Sequence, residues 1–314
     1  MSKPITYSET FHSIQGEGYF TGVPSTWLRF FLCNLQCDGF GQEDPTDEST
    51  YDLPYKTIEV KDITKIEDLP VWERGCDSSY SWSKKFRHLQ HKSTPAELVD
   101  ILVGRQQNEF NPEGRWKHPV SGETTHLCIT GGEPMMKHAQ KAVIDLWDEF
   151  RAKLAGEKPL WITWETNGTQ ALTPEFEEYF SNPGVCAANM FMSVSPKLFT
   201  VSGEKNKKAI CPEIVATYDK MVTKNRRFGD RKQIPNGQLK FVLGPKAEQW
   251  EELDRVVKEF RAAGVDWPVW IMPVGATLEG QALCDGDVAR MAQDRGYSVA
   301  ARVHTYLYGN LIGV

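Results

Sequence analysis

The sequence contains no apolar run close to the roughly 18–20 residues that a membrane-spanning helix needs. Its first residues, MSKPITYSETFHS, lack the basic and then apolar pattern of a secretory signal peptide. The net charge of −6 argues against a protein that mainly grips a phosphate backbone. These absences favour a globular protein of the cytoplasm, with neither a membrane nor a nucleic acid as its partner.

Cysteine is scarce, and its spacing is irregular. In the cytoplasm thiols stay reduced, so the seven cysteines are expected to be buried small side chains or metal ligands rather than disulfide partners. Four of them lie in no ligand-like pattern and are interpreted as ordinary packing residues: Cys128, Cys186, Cys211 and Cys284.

The other three cysteines lie in two separate loops. Cys33 and Cys37 stand in FLCNLQCDGFGQ, where position 40, a plausible place for a third ligand, is Phe40. Two thiolates are too few for a zinc or iron–sulfur centre. If Cys76 of GCDSSYSW folds back beside them, the site has three thiolates, which suits a four-iron cluster with one open iron. Zinc would need a fourth side chain, for which the nearest candidates are His88 and His91.

Short apolar runs alternate with amphipathic stretches along the chain. Because parallel strands need crossover helices, this alternation predicts an α/β fold with a parallel sheet. The predicted strands are Trp27–Leu32, His126–Thr130, Trp161–Thr166, Met190–Ser195, Gln238–Leu243 and Val269–Val274, with a possible seventh strand in 298–309. The predicted helices are 95–106, with Thr94 as N-cap and Pro95 at N1, and 140–155, 173–180 and 247–263.

Residues 38–75 interrupt this pattern. The segment is rich in acidic residues, contains three prolines, and has one possible strand at Lys56–Val60. A connection of this length inside a compact domain is either functional, a small subdomain, or a solvated surface insertion. We expect one domain over residues 1–314, with 38–75 as an insertion.

Polar and glycine-containing motifs follow the predicted strands, which is where ligands bind in α/β folds. They include TGGEP (130–134), ETNG (165–168) and SPK (195–197), while SIQGEG (13–18) precedes the first predicted strand. Glycines allow close backbone approach to a ligand, although a Gly-Gly pair can also be a simple turn. Arg29, inside a strand, needs an anionic partner, either a structural carboxylate or a ligand carboxylate.

Together these motifs resemble radical S-adenosylmethionine (SAM) enzymes, and more closely the 7-carboxy-7-deazaguanine synthase family. The family pattern E-x-F-x-S-I-Q-G-E-G, G-x-P, a strand arginine and C-N-L-x-C is matched in order by SETFHSIQGEG (8–18), GVP (22–24), Arg29 and CNLQC (33–37). The end of the family motif, C-D-T-x-Y-x-W, is similar to CDSSYSW (76–82), displaced by residues 38–75, where the family has two residues. TGGEP, ETNG, SPK and MPVG (272–275) follow in the family's order.

The resemblance implies a partial (β/α)₆ barrel of the radical SAM type, open on one side. It also implies a lyase that contracts the ring of 6-carboxy-5,6,7,8-tetrahydropterin to 7-carboxy-7-deazaguanine with loss of ammonia, for queuosine or modified-DNA precursors. The cofactors implied are a [4Fe–4S] cluster, SAM and Mg²⁺, and the expected partners are an electron donor such as flavodoxin or ferredoxin and a second subunit in a homodimer.

The resemblance implies which residues of this chain form the site, because they stand at the matching positions of the family's motifs. No catalytic side chain is assigned. The cluster ligands would be Cys33, Cys37 and Cys76, and Ser78 stands where the family has a magnesium-binding threonine. The SAM site would comprise Asp77, Gly131, Gly132, Glu133, Glu165, Ser195, Pro196, Lys197, Met272 and Pro273. The pterin site would comprise Ile14, Gln15, Gly16, Glu17, Arg29 and Thr130, with Arg29 on the pterin carboxylate.

Two other functions remain open from the residues alone. A glycyl-radical activating enzyme would share the three-cysteine loop, but would not be expected to carry SIQGEG with a strand arginine. A non-catalytic, zinc-stabilised binding protein is disfavoured by the ordered strand-end motifs. The basic segment KNRRFGDRK (224–232) is interpreted as a solvated loop rather than a nucleic-acid site, and the family's C-terminus near its substrate draws attention to Val314.

Overall fold

A computed structural model describes residues 3–154, 156–226 and 234–313 and shows one nine-stranded sheet in the order β3-β1-β2-β4-β5-β6-β7-β8-β9. Strands β2 and β4 to β9 run parallel in chain order, while β1 is antiparallel to β2 and β3 is antiparallel to β1. The strands are β1 Ile5–Ile14, β2 Pro24–Phe30, β3 His91–Ser93, β4 His126–Gly131, β5 Trp161–Thr166, β6 Asn189–Val194, β7 Gly237–Leu243, β8 Val269–Pro273 and β9 Ser298–Val299.

Helices connect the parallel strands. They are α1 Pro54–Thr57, α2 Pro95–Gly104, α3 Lys137–Arg151, α4 Pro174–Ser181, α5 Phe199–Ser202, α6 Asn206–Ala209, α7 Pro212–Asn225, α8 Ala247–Ala262, α9 Leu278–Ala282, α10 Asp285–Asp294 and α11 Val303–Tyr308. Short 3₁₀ helices occupy Gly18–Phe20, Glu48–Thr50, Ile66–Asp68, Ser79–Ser81 and Lys84–Leu89. No helix in the described ranges has both the length and the apolar character to span a membrane.

The expected partial (β/α)₆ barrel is confirmed. Six consecutive parallel strands, β2 and β4 to β8, match the six predicted apolar runs, with ends shifted by up to three residues. The two outermost strands, β3 and β9, do not pair with each other within the described part of the chain, so the sheet stays open. The seventh predicted strand is present only as the two residues of β9, after which the chain forms α11.

Several elements differ from the sequence-based predictions, and β3, α7 and α10 are among those that were not predicted. The predicted strand at Lys56–Val60 is wrong, because Pro54 starts the short helix α1 there, with proline at a favoured first-turn position. Strand β1 was not predicted, since its apolar residues alternate irregularly with Ser, Thr and Glu that are buried as well. It carries the start of the SIQGEG motif alongside β2.

The helices cover the outer face of the sheet. Trp164 of β5 packs edge-on against Phe176 and Phe180 of α4, at ring-centroid distances of 5.3 and 5.8 Å. Helix α2 begins with a complete capping box, in which Thr94 accepts from the Glu97 N–H and Glu97 accepts from the Thr94 N–H. The core and the caps thus fix where each strand ends, and so where its following loop begins.

The insertion 38–75 leaves the barrel and returns to it at one narrow neck. The Gly75 N–H donates to the Phe40 carbonyl at 2.7 Å, which closes the segment into a loop. Its apolar residues pack with the following segment into a separate cluster that includes Tyr55, Ile66, Leu69, Trp72, Tyr80, Phe86 and Leu89. The neck explains how Cys76 returns to the neighbourhood of Cys37.

Two features discussed from the sequence fall on residues outside this description. Residues 227–233, which make up most of the basic segment 224–232, are not described, and neither is Val314. Lys224, at the start of that segment, pairs with Glu177 at 3.1 Å.

Candidate active site

A cavity of about 350 Å³ lies at the carboxyl ends of the parallel strands. It is lined by the strand-end motifs, by the SIQGEG segment and by both cysteine loops. The predicted site residues that line it are Ile14, Gln15, Gly16, Glu17, Arg29, Cys33, Cys37, Cys76, Asp77, Ser78, Thr130, Gly131, Gly132, Glu165, Ser195, Lys197, Met272 and Pro273. The two that do not line it are Glu133 and Pro196.

The three cysteines meet although residues 38–75 separate them in the sequence. Cys33 and Cys76 pack against a small buried cluster that contains Cys37 and Ala209. Among the described residues, no three His, Cys, Asp or Glu side chains come close enough together to hold a single metal ion. A four-iron cluster attaches each thiolate to a different iron and therefore does not need such closeness. Three thiols at one cavity are the donor set that a four-iron cluster with one open iron requires.

Buried backbone contacts fix the first cysteine loop. The carboxylate of Glu204 accepts from the backbone N–H groups of Gln36, at 2.6 Å, and Cys37, at 3.0 Å. Cys37 has a positive φ of 56°, a conformation that needs such external support in a non-glycine residue. Sequence reasoning missed Glu204, because nothing in its local pattern links it to a loop far upstream.

Burial is the main influence on the pKa values of the three free thiols. It raises the pKa of Cys33 to about 12 and also raises the pKa values of Cys37 and Cys76, while the Lys197 ammonium opposes this rise at Cys33 and Cys37. Thiolates are the ligand form of cysteine, so binding of a positively charged iron group would be coupled to proton release here.

Gly132 lies directly beneath the cysteine loop. A Cβ atom at this position would be 2.4 Å from the Leu32 carbonyl oxygen and 2.8 Å from the Cys33 Cβ. The backbone reinforces this approach, since the Glu133 N–H donates to the Leu32 carbonyl at 2.9 Å. The glycine of TGGEP is therefore required for close packing and is not a simple turn residue.

Glu133 lies behind the cavity wall. Its carboxylate accepts from the Thr166 hydroxyl at 2.6 Å and from the backbone N–H groups of Asn167, at 2.7 Å, and Met135, at 2.8 Å. Burial raises the pKa of Glu133 to about 6, against these hydrogen bonds. The side chain thus ties the ends of β4 and β5 together behind the cavity wall.

Arg29 has a protein carboxylate as its partner. Its Nε donates to Glu9 Oε1 at 2.6 Å, and the Tyr80 hydroxyl donates to the same oxygen at 2.9 Å. The structural salt bridge considered from the sequence is therefore present. Both Arg29 and Glu9 line the cavity, so the pair also faces the space where a ligand would lie.

A chain of alternating charges crosses the cavity. The Lys240 ammonium lies 2.6 Å from Glu17 and 3.0 Å from Glu165, whose other oxygen accepts from Gln15 at 3.0 Å. Arg302 continues the chain, because it lies 3.3 Å from Glu17 and 2.7 Å from Asp77. Although burial opposes its ionisation, the cationic neighbours hold the pKa of Glu17 well below its usual range.

Sequence reasoning missed Lys240, Arg302 and His304. The available signal was a lysine inside the otherwise apolar strand run QLKFVL, which demands buried carboxylate partners as the arginine of β2 does. His304 packs so closely on Gly16 that a Cβ there would collide with its ring. Arg302 and His304 lie in the tail after β9, for which the sequence predicted a strand.

The SPK segment closes another side of the cavity. The Lys197 ammonium donates to the Ser195 hydroxyl at 3.0 Å and lies 5.6 Å from the centroid of the Phe40 ring. Pro196 between them is buried and does not line the cavity. Phe40 therefore contacts the cation beside the cysteines instead of supplying a ligand itself.

The chain is similar in sequence to several proteins named 7-carboxy-7-deazaguanine synthase. The one from Rhodopirellula baltica is 25% identical over 310 residues, covering 98% of this chain and 88% of that protein. The one from Halobacterium salinarum is 25% identical over 313 residues, covering 98% and 91%. The crystal structure of QueE from Escherichia coli covers 96% of this chain and 95% of its own, with 18% identity and a TM-score of 0.48. No protein-family model matches the chain.

Proposed function

Since the chain is a relative of the 7-carboxy-7-deazaguanine synthases, we propose that it is a radical SAM lyase of the same activity. The substrate would be 6-carboxy-5,6,7,8-tetrahydropterin, and the products 7-carboxy-7-deazaguanine and ammonia. The observation that carries the proposal is the meeting of three cysteines from two distant loops at one cavity, beside the strand-end motifs. The product would serve as a precursor of queuosine or of modified DNA.

The chain's own residues supply binding, orientation and exclusion of water. Cys33, Cys37 and Cys76 would hold a [4Fe–4S] cluster, at which reductive cleavage of SAM supplies the radical that abstracts hydrogen from the substrate. The SAM site would use Gly131 and Gly132, whose backbone permits close approach, together with the residues Asp77, Glu165, Ser195, Lys197, Met272 and Pro273.

The substrate would lie on the side of the cavity formed by β1, β2 and the SIQGEG segment. The free nitrogens of the Arg29 guanidinium suit a carboxylate, and Thr130 with Gln15 offers further polar contacts. The residues that complete this side are Ile14, Gly16 and Glu17. Glu17 is held in place by Lys240 and Arg302, which leaves it ionised and fixed in orientation.

Ser78 is the proposed protein ligand of Mg²⁺. Ser78 lines the cavity, and its hydroxyl lies 3.6 Å from the Cys76 Sγ, so it would offer a hard oxygen ligand to a cation bound in the cavity. A single hydroxyl agrees with magnesium's habit of keeping several waters. We further propose a homodimer in the cytoplasm that receives electrons from a flavodoxin or ferredoxin.

Product analysis tests the activity. The anaerobically reconstituted protein is incubated with SAM, a reductant and the carboxytetrahydropterin, and the products are identified by mass spectrometry. We expect both 5′-deoxyadenosine and 7-carboxy-7-deazaguanine. Release of 5′-deoxyadenosine without a deazapurine would retain the radical class and reject this substrate, as expected of a glycyl-radical activating enzyme.

Replacement of Cys76 tests the displaced ligand. After reconstitution with iron and sulfide, wild type should be brown, whereas Cys76→Ala should retain much less iron and visible absorption. Cys211→Ala, which removes a half-buried thiol outside the cavity lining, is the matched control and should resemble wild type. An intact four-iron cluster in Cys76→Ala would overturn the assignment, and a colourless wild type that binds zinc would favour a binding protein.

A further inference from the structure

Glu9 presents a carboxylate oxygen that no described residue satisfies. The side chain is 5% exposed and lines the cavity. Oε1 accepts from both Arg29 and Tyr80, whereas Oε2 is buried and has no hydrogen-bond partner among the described residues. A carboxylate oxygen without a partner is costly to bury, so its retention calls for a donor that none of the described residues provides.

The neighbouring arginine has hydrogen-bond donors without an acceptor. Arg29 uses Nε on Glu9, and its two Nη nitrogens make no hydrogen bond within the described ranges. Arg29 and Glu9 lie opposite each other in the register of β1 and β2, so the spare donors and the spare acceptor are side by side. A ligand that fits both carries a carboxylate next to an N–H group.

We propose that Glu9 is a substrate-binding residue, which forms with Arg29 a two-point clamp for a carboxylate and the vicinal ring N–H. The inference rests on the proposed function, because 6-carboxy-5,6,7,8-tetrahydropterin carries its carboxylate on the carbon next to N5–H. The carboxylate lies on the Arg29 Nη nitrogens, and N5–H donates to Glu9 Oε2. The fully oxidised 6-carboxypterin keeps the carboxylate but has a lone pair at N5, which Glu9 repels.

The clamp therefore selects the reduced ring, and the substitution Glu9→Gln should reverse that selection. Arg29 Nε and the Tyr80 hydroxyl are both donors, so they hold the amide oxygen at the Oε1 position. The amide NH₂ then occupies the Oε2 position, where it donates to the N5 lone pair of 6-carboxypterin and opposes N5–H of the reduced pterin.

Binding of the two pterins is measured by anaerobic calorimetry on the reconstituted protein with SAM and without reductant, so that no turnover occurs. In wild type the reduced pterin should bind at least about tenfold more tightly than 6-carboxypterin, as expected for a charged hydrogen bond against a mismatched one. In Glu9→Gln this ratio should fall at least about tenfold. Glu109→Gln, an exposed carboxylate outside the cavity lining, is the control and should keep the wild-type ratio.

The outcomes separate the two levels of the proposal. If Glu9→Gln weakens both ligands by the same factor, Glu9 only supports Arg29 and the clamp is rejected. If wild type binds neither pterin, the proposed function fails and the clamp with it. Should Glu9→Gln not fold, Glu9→Asp keeps the charge beside Arg29 but withdraws the second oxygen. It should lower the ratio while 6-carboxypterin binding is kept, and an unchanged ratio would reject the clamp.

Discussion

At the scale of single residues, the cavity is stabilised by buried charges that depend on one another. Lys240 has a 5% exposed side chain and is paired with two carboxylates, Glu17 and Glu165. Removing one partner from a buried pair leaves an uncompensated charge, which costs far more than the net value of the pair. The structural and the binding roles of these residues are therefore coupled.

Replacing Lys240 by methionine should destabilise the protein by about 3–5 kcal/mol, because Glu165 loses its cation and Glu17 keeps only Arg302. Urea unfolding of the purified chain measures the change. Lys224→Met removes a lysine from the exposed pair with Glu177 and should cost less than about 1 kcal/mol. Equal losses in the two variants would mean that solvent reaches Glu17 and Glu165.

His126 gives the molecule a pH dependence away from the cavity. Its ring stacks on Trp161 at 5.2 Å and contacts Phe20 at 4.7 Å. Burial lowers the pKa of His126 from 6.5 to about 4. Between these values the unfolded chain binds a proton that the folded chain refuses, so the contribution is fully present above pH 6.5 and is lost as pH falls toward 4.

We therefore expect the free energy of unfolding to fall with decreasing pH, by up to about 3 kcal/mol from this group. Urea unfolding across this pH range should show a shallower dependence in His126→Gln than in wild type. His88→Gln, at an exposed position, is the control and should keep the wild-type slope. A slope unchanged by His126→Gln would assign the pH dependence to other groups.

At this scale, the sequence predicts the place of a residue well when its role can be read from a short motif around it. It predicts poorly when the partners of the residue lie far along the chain. The cysteines and the strand-end glycines stand in short motifs, so their positions at the cavity could be predicted. Lys240 and Arg302 come from elements far along the chain, and only the closure of the barrel brings them to Glu17. Glu133 belongs to a motif, yet its partners turn it toward the protein.

At the scale of elements, strand ends and loops form one packed unit. Gly132 after β4 supports the loop that carries Cys33, while Glu204 before α6 holds the backbone of Cys37. The periodicity of apolar residues predicted the six barrel strands, because each is buried on both faces. It could not reveal β1, whose buried residues include Ser, Thr and Glu, nor the short helix α1.

Gly132→Ala should disturb the cysteine loop while the barrel remains folded. The added methyl group meets backbone atoms of Leu32, which cannot turn aside as a flexible side chain can, and such overpacking costs about 1–3 kcal/mol. We expect several-fold less iron per chain after reconstitution, measured colorimetrically, with circular dichroism unchanged. Gly286→Ala, where the added atom meets nothing within 4 Å, should load iron as wild type does. Normal loading in Gly132→Ala would show that the loop tolerates displacement.

At the scale of the whole molecule, the insertion and the chain's tail close the open barrel from two sides. Val71 and Glu73 of the insertion line the cavity, and so do residues 309–313. Ile312 packs against the apolar cluster that the insertion forms with the following segment, so the tail is attached to that cluster beside the cavity. The sequence showed how long the segment 38–75 is. Only the contact of Ile312 with the apolar cluster, seen in three dimensions, relates this segment to the access of ligands to the cavity.

Replacing Ile312 by serine should therefore loosen the cover without unfolding the barrel. Loss of apolar contact with the insertion would raise hydrogen exchange of the segment 303–313 and increase the KM for the pterin more than it lowers kcat. Leu307→Ser is the matched control, since Leu307 is 59% exposed and lies outside both that cluster and the cavity lining. Equal exchange in the two variants would mean that Ile312 does not anchor the tail. A selective effect of Ile312→Ser would instead make the apolar cluster of the insertion and the following segment part of the active site's closure, because Ile312 packs against that cluster.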